Sequence, residues 1–236
     1  MSRRDDPPLG RGATSDPTSS DLIARVVADL TPVKPVSFGR SLASCWLVSA
    51  STALVTVCWL GARSDLAARA TEAGFIASML ALGLGAVLSA AAAIRGGIPG
   101  REVRFGSTLA LLSLPLALAA GVVVLSPTRS AGWPTWLESV GGGWPCIATT
   151  AGVAILPWLA AVYLLNRLHC LREVRSAALA ALAACFLGAF VSHLRCAAAD
   201  AHHVAAAHYL PVLALAGVGC ALAVLASRRR RTLLGG

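Results

Sequence analysis

The stretch 74-GFIASMLALGLGAVLSAAAAI-94 runs for 21 residues without a charged side chain. As a helix it covers about 30 Å, the hydrocarbon thickness of a bilayer. In hydrocarbon a lone segment satisfies its backbone amides only as a helix. Outward from this stretch the pattern repeats at Leu42 to Ala62, Phe105 to Leu125, Cys146 to Asn166, Ser176 to Leu194 and Ala206 to Ser227, each of similar length. The whole chain is 56% hydrophobic and 13% charged, with a mean hydropathy of +0.71, a surface that water does not wet in the globular way. The pattern predicts an all-α polytopic membrane protein of six transmembrane helices.

The basic residues set the orientation, because cytoplasmic loops carry an excess of Lys and Arg. Of the 20, sixteen fall on one side: Arg3, Arg4, Arg11, Arg25, Lys34 and Arg40 before span one, Arg95, Arg101 and Arg104 after span two, Arg167, Arg172 and Arg175 after span four, and Arg228 to Arg231 after span six. Arg63, Arg69, Arg129 and Arg195 take the other side. Both termini are therefore expected in the cytoplasm. A net charge of +9 and a pI near 10 would suggest nucleic acid in a soluble protein. Here the charges flank spans, so they read as topology signals touching anionic lipid, with no direct nucleic-acid contact. Trp46 and Trp59 flank span one, and Trp133, Trp136 and Trp144 crowd the loop before span four, as interfacial anchors do. The first 40 residues lack the apolar core of a cleavable signal peptide.

No Asp, Glu, Lys or Arg lies inside the six spans. Transport pathways and intramembrane catalysis usually depend on such groups, which lipid tolerates only for function. The chain is thus read as a non-enzyme. Pro115, Pro157 and Pro211, and Gly83, Gly85, Gly217 and Gly219, read as kinks and close-packing positions.

Ahead of the spans, residues 1–20 are rich in Pro, Gly, Ser, Asp and Arg and are expected to be a disordered leader. Residues 21–41 form a cytoplasmic segment in which Leu22, Ile23, Val26, Val27 and Leu30 recur at helical spacing from a Ser20 or Asp21 cap. Pro32 and Pro35 stop the pattern. So short a helix gains order only against a surface. Its polar face, Asp21 and Asp29 against a single Arg25, suits a protein groove better than lipid headgroups, so Asp21, Leu22, Ile23, Val26, Val27, Asp29, Leu30, Pro32 and Val33 are the candidate partner-binding residues, with the bundle's own cytoplasmic face and then lipid as the alternative surfaces. Residues 228–236 read as a basic cytoplasmic tail.

Of seven cysteines, Cys45, Cys58, Cys185 and Cys220 lie within spans as small hydrophobes, and Cys170 faces the reducing cytoplasm. Cys146 and Cys196 differ: they stand at the outer start of span four and the outer end of span five, at similar depth. Such a pair can form a disulfide or bind a soft metal. Arg195, next to Cys196, favours a thiolate there. His193, His202, His203 and His208 share that face, so Cys146, Cys196, His202, His203 and His208 are candidate ligands for Zn, Cu or Cd, with Asp200 as a further oxygen donor. No metal is required by this reading. Mid-span histidines are lacking, which argues against haem.

The chain resembles the NrsF-type anti-sigma factors, six-span bacterial inner-membrane proteins. The resemblance rests on Val27-Ala28-Asp29-Leu30-Thr31-Pro32-Val33-Lys34-Pro35 before span one, on the six-span plan, on Trp144-Pro145-Cys146, and on His193-Leu194-Arg195-Cys196 with Asp200 and His208 following. It implies that the N-terminal segment sequesters an extracytoplasmic-function sigma factor. It further implies that the outer cysteines, here Cys146 and Cys196, sense oxidative or heavy-metal stress and release that factor. The myxobacterial light-response anti-sigma factor CarR is similar in its multi-span plan, which would make the stimulus photo-oxidative. Ala197 follows Cys196 where the family often has proline. Two readings from other classes stand beside it: a small transporter or metal-handling permease component with an outer Cys/His mouth, and a thiol oxidoreductase using Cys146 and Cys196.

Overall fold

The computed structural model describes residues 19–28, 37–98, 105–125, 136–168, 173–198 and 201–234. Among these residues every regular element is helical. The chain divides into two compact units, residues 1–35 and 36–236.

In the first unit, α1 spans Ser19–Ala28, with Asp21 in its first turn, where a carboxylate favours the helix dipole. It begins two residues before the expected Asp21 start. Ile23 and Val27, one turn apart on one face, are exposed. Asp29, Leu30, Pro32 and Val33, and the leader up to Thr18, lie outside the described residues.

In the second unit the helices are α2 (Phe38–Leu60), α3 (Leu66–Arg69), α4 (Ala73–Gly96), α5 (Phe105–Leu125), α6 (Trp136–Arg167), α7 (Glu173–Arg195), α8 (Ala201–Val204) and α9 (Leu210–Leu234). A five-residue π turn, Ala205–Tyr209, joins α8 to α9. Among the described residues five stretches are long and apolar enough to cross a membrane: Phe38–Leu60, Ala73–Gly96, Gly142–Arg167, Val174–Arg195 and His202–Arg229. The remaining expected span, Phe105–Leu125, is a helix over those residues with Pro115 inside it.

Two boundaries differ from the sequence reading. Helix α6 starts at Trp136, ten residues before Cys146, and runs through Gly-Gly-Gly-Trp-Pro, a stretch that reads as loop. Helix propensity yields where the alternative is an unsatisfied backbone. Helix α9 continues to Leu234, so Arg228 to Arg231 ride on its last turns instead of forming an extended tail. Arginine is a good helix former, and its positive charge suits a helix C-terminus.

Helix α7 is the axle, packed against α4, α6 and α9. Its alanines and its one glycine, Gly188, let neighbouring backbones close in. A methyl at Gly188 would collide with the Thr150 carbonyl of α6, and one at Gly219 would lie 2.5 Å from Ala181. One buried cluster joins Leu82, Ala86, Ala154, Phe186, Ala189 and Val212. Cys185 belongs to it, as a small hydrophobe should. A second cluster, with Ala93, Ala161, Leu165 and Leu179, fills the other half of the bundle. Helix α2 is the opposite case: of its residues only Ser41 is buried.

Candidate functional site

The site forms where α7 ends. The amide of Cys196 donates to the Ser192 carbonyl at 2.9 Å, so Cys196 prolongs the last turn of α7. Ser192 Oγ donates to the Cys146 carbonyl at 3.0 Å, which fixes α6 and α7 at the level of the two cysteines. Both cysteines are free thiols.

Two histidines reach the same point from the opposite direction. α8 supplies His203, and the π turn supplies His208, which is fully buried with Ala206 and Ala207. In that turn the Leu210 amide bonds back to the Ala205 carbonyl, one residue further than in an α-helix, and this extra residue changes which side chains face inward. Gly143 permits the approach, because a methyl there would lie 2.7 Å from Ala207 Cβ.

The result is that one ligand atom from each of Cys146, Cys196, His203 and His208 lies within 4.8 Å of the other three. Cys196 Sγ and His203 Nε2 are 3.1 Å apart. A tetrahedral zinc with sulfur at about 2.3 Å and nitrogen at about 2.0 Å separates its donors by about 3.3 to 3.8 Å, so small side-chain motions close this set on an ion. His208 is fully buried and neither ring nitrogen meets a hydrogen-bond partner at standard geometry, so coordination would satisfy one of the two. Two thiolates and two neutral imidazoles also balance a divalent charge, which suits a site shielded from water. The Cys146 sulfur, and then burial, hold the Cys196 thiol well above the usual thiol range.

The other candidates are placed differently. His202 lies outside the four-residue set. His193 is buried between Phe75, on which it stacks at 5.0 Å, and His208, which it meets edge-on at 5.1 Å. Asp200 and Cys170 lie outside the described residues. Arg195 commits its guanidinium to three oxygen acceptors. Its Nε donates to the Gly61 carbonyl at 3.1 Å, Nη1 to Thr149 Oγ1 at 3.0 Å, and Nη2 to the Leu60 carbonyl at 3.5 Å.

The guanidinium whose charge bears on Cys196, favouring its thiolate, belongs to Arg63, a residue the sequence suggested only as a topology signal. Arg63 is buried, donates to both Asp65 carboxylate oxygens at 2.6 and 2.9 Å and to the Ala197 carbonyl at 3.1 Å, and lies over the Phe75 ring. Its Asp65 partner stands two residues away in sequence, and the Ala197 carbonyl 134 residues away.

Fold and site together define a helical membrane-type protein with a two-cysteine, two-histidine set at one end of its bundle, Cys196 and His208 buried and Cys146 and His203 half-buried. Over residues 26–228 the chain matches the family described as negative regulator of sigma F, NrsF, and it belongs to that family: it is an anti-sigma factor, with a sigma factor as its partner. No curated protein and no solved structure matches it.

Proposed function

We propose that this anti-sigma factor spans the bacterial inner membrane six times with both termini in the cytoplasm, holds an extracytoplasmic-function sigma factor through residues 21–41, and releases it when a soft metal ion is captured on the outer face. The observation that carries the sensing half is the mutual approach of four ligand atoms, from Cys146, Cys196, His203 and His208, within 4.8 Å. The family supports the partner half. The exposed Ile23 and Val27 of α1 supply an apolar face for a partner groove.

Capture draws donors from three elements, α6, the end of α7 and the α8–π-turn segment, toward one point. A ligand shifts a conformational equilibrium by its difference in affinity for the two states, typically about 1 to 3 kcal/mol of coupling. That is sufficient for graded release of a bound sigma factor. The same two thiols favour a second route, in which an oxidant accepts two electrons, two protons leave, and a Cys146–Cys196 disulfide forms. Both routes consume the same sulfurs, so bound metal should protect them from oxidation.

The test is co-purification of the tagged protein with its sigma factor from native membranes, with and without cadmium, in wild type and in a variant lacking residues 21–35. Sigma factor retained by wild type, lost on deletion and depleted by cadmium is the expected pattern. Retention by the deletion variant would remove the docking segment from the account, and indifference to cadmium would remove the metal signal.

A further inference from the structure

The four ligating residues explain capture, but not how capture reaches the helix that leads into the docking segment. That helix is α2, capped at its start by the Ser37 hydroxyl. Only 6% of its most apolar window is buried, so side-chain packing ties it weakly to the bundle. Its far end is different. Helix α2 closes at Gly61, with φ +79°, a backbone angle that favours glycine. The carbonyls left open at a helix C-terminus attract cations. Arg195 serves both the Leu60 and Gly61 carbonyls. Just beyond, the Arg63 amide donates to the Leu194 carbonyl at 3.1 Å, and the Arg63 side chain donates to the Ala197 carbonyl.

These contacts converge on one short stretch, Leu194 to Ala197, which contains Cys196. Arg195 also grips Thr149, one turn along α6 from Cys146. The neighbourhoods of both sulfurs are thus wired to the end of α2. The wiring has an anchor, because Asp65 holds Arg63 through two oxygens and also accepts from Arg69 at 3.2 Å. Arg69 in turn pairs with Glu72 at 2.7 Å, at the start of α4.

We propose that Arg63 and Arg195 are positioning residues that couple the Cys/His centre to helix α2, so that an event at Cys146 and Cys196 moves α2 through this hydrogen-bonded clamp. The proposal rests on the sensing role given above for the two cysteines, but not on which agent reacts with them. Neither guanidinium belongs to the ligand set, so clamp and capture are separable.

The experiment uses the full chain with its sigma factor and a promoter reporter in bacteria, in parallel with cadmium titration of the purified protein. Arg195→Gln removes three donors from the clamp; Asp65→Asn loosens Arg63 and leaves the bundle interior untouched, so it decides the matter if Arg195→Gln does not fold. The expected result is cadmium affinity within about threefold of wild type together with a loss of induction of about tenfold. Wild-type induction in both variants overturns the clamp. So does a parallel loss of binding and induction in both, which would make these residues part of building the site. If wild type takes up no cadmium, the metal reading fails and the clamp is judged with diamide, which accepts two electrons and two protons from the thiols. Disulfide formation is then compared with induction by the same criterion. A wild type whose Cys146 and Cys196 react with neither agent overturns both proposals.

Discussion

Helices α2 and α7 are each 23 residues long and both are apolar enough to cross a membrane. Yet 67% of the most apolar window of α7 is buried, against 6% for α2. Helix α7 is held by shape: side chains interdigitate with three neighbours, and its one glycine, Gly188, leaves no room for a methyl. Helix α2 is held at one end by directional polar contacts from Arg63 and Arg195. Packed interfaces resist small displacement, whereas a few hydrogen bonds at the rim let a helix tilt. The comparison assigns α7 the role of fixed frame and α2 that of moving part.

The sharpest way to break this contrast is volume. Gly188→Ala places a methyl against the Thr150 carbonyl, and separating α6 from α7 should cost about 1 to 3 kcal/mol, seen as a lower thermal midpoint in detergent. Unchanged stability would show that the two helices are not in tight contact. A middle test is Ser192→Ala, which removes the link to the Cys146 carbonyl. It should cost about 1 kcal/mol and loosen the site, read as faster alkylation of Cys146. On the other side of the comparison, Leu54 of α2 is 65% exposed, so Leu54→Ala should shift stability by less than about 0.5 kcal/mol. A large loss there would mean that α2 packs as α7 does.

The smallest expected effect is that of pH on the clamp. The hydrogen bond from Arg63, aided by Arg69, holds the Asp65 carboxyl well below the usual carboxylate range. A carboxyl with a depressed folded-state pKa contributes stability above its unfolded value, and that contribution is lost only as pH falls through the folded value. Protection of the Arg63 amide in hydrogen exchange, corrected for intrinsic rates, should therefore be flat between about pH 5 and 8. A drop within that window would show that the clamp depends on another titrating group.

Much of this was legible in the sequence because lipid imposes a simple rule: about 20 apolar residues make a helix. Helices lie over all six expected stretches, and among the described residues five of them are long and apolar enough to cross a membrane. The start of α6 was not legible, since Gly141 to Pro145 carries turn chemistry that membrane context overrides. Cys146 and Cys196 were legible as a pair because alternating topology puts both at one level. His203 and His208 were legible only as members of a group with His202. A π turn selects among them, and no local propensity announces one. Arg63 was missed because its bond to Ala197 crosses 134 residues, a distance at which no sequence pattern operates.

The central claim is that four side chains form one metal-binding centre, and cadmium titration of the purified protein, followed by thiolate-to-metal charge-transfer absorption, tests it most directly. One ion per chain is predicted, with affinity reduced at least about a hundredfold by Cys146→Ser, Cys196→Ser or His208→Ala and little changed by His202→Ala. Absence of the charge-transfer band in wild type, or an equal loss in His202→Ala, would contradict it.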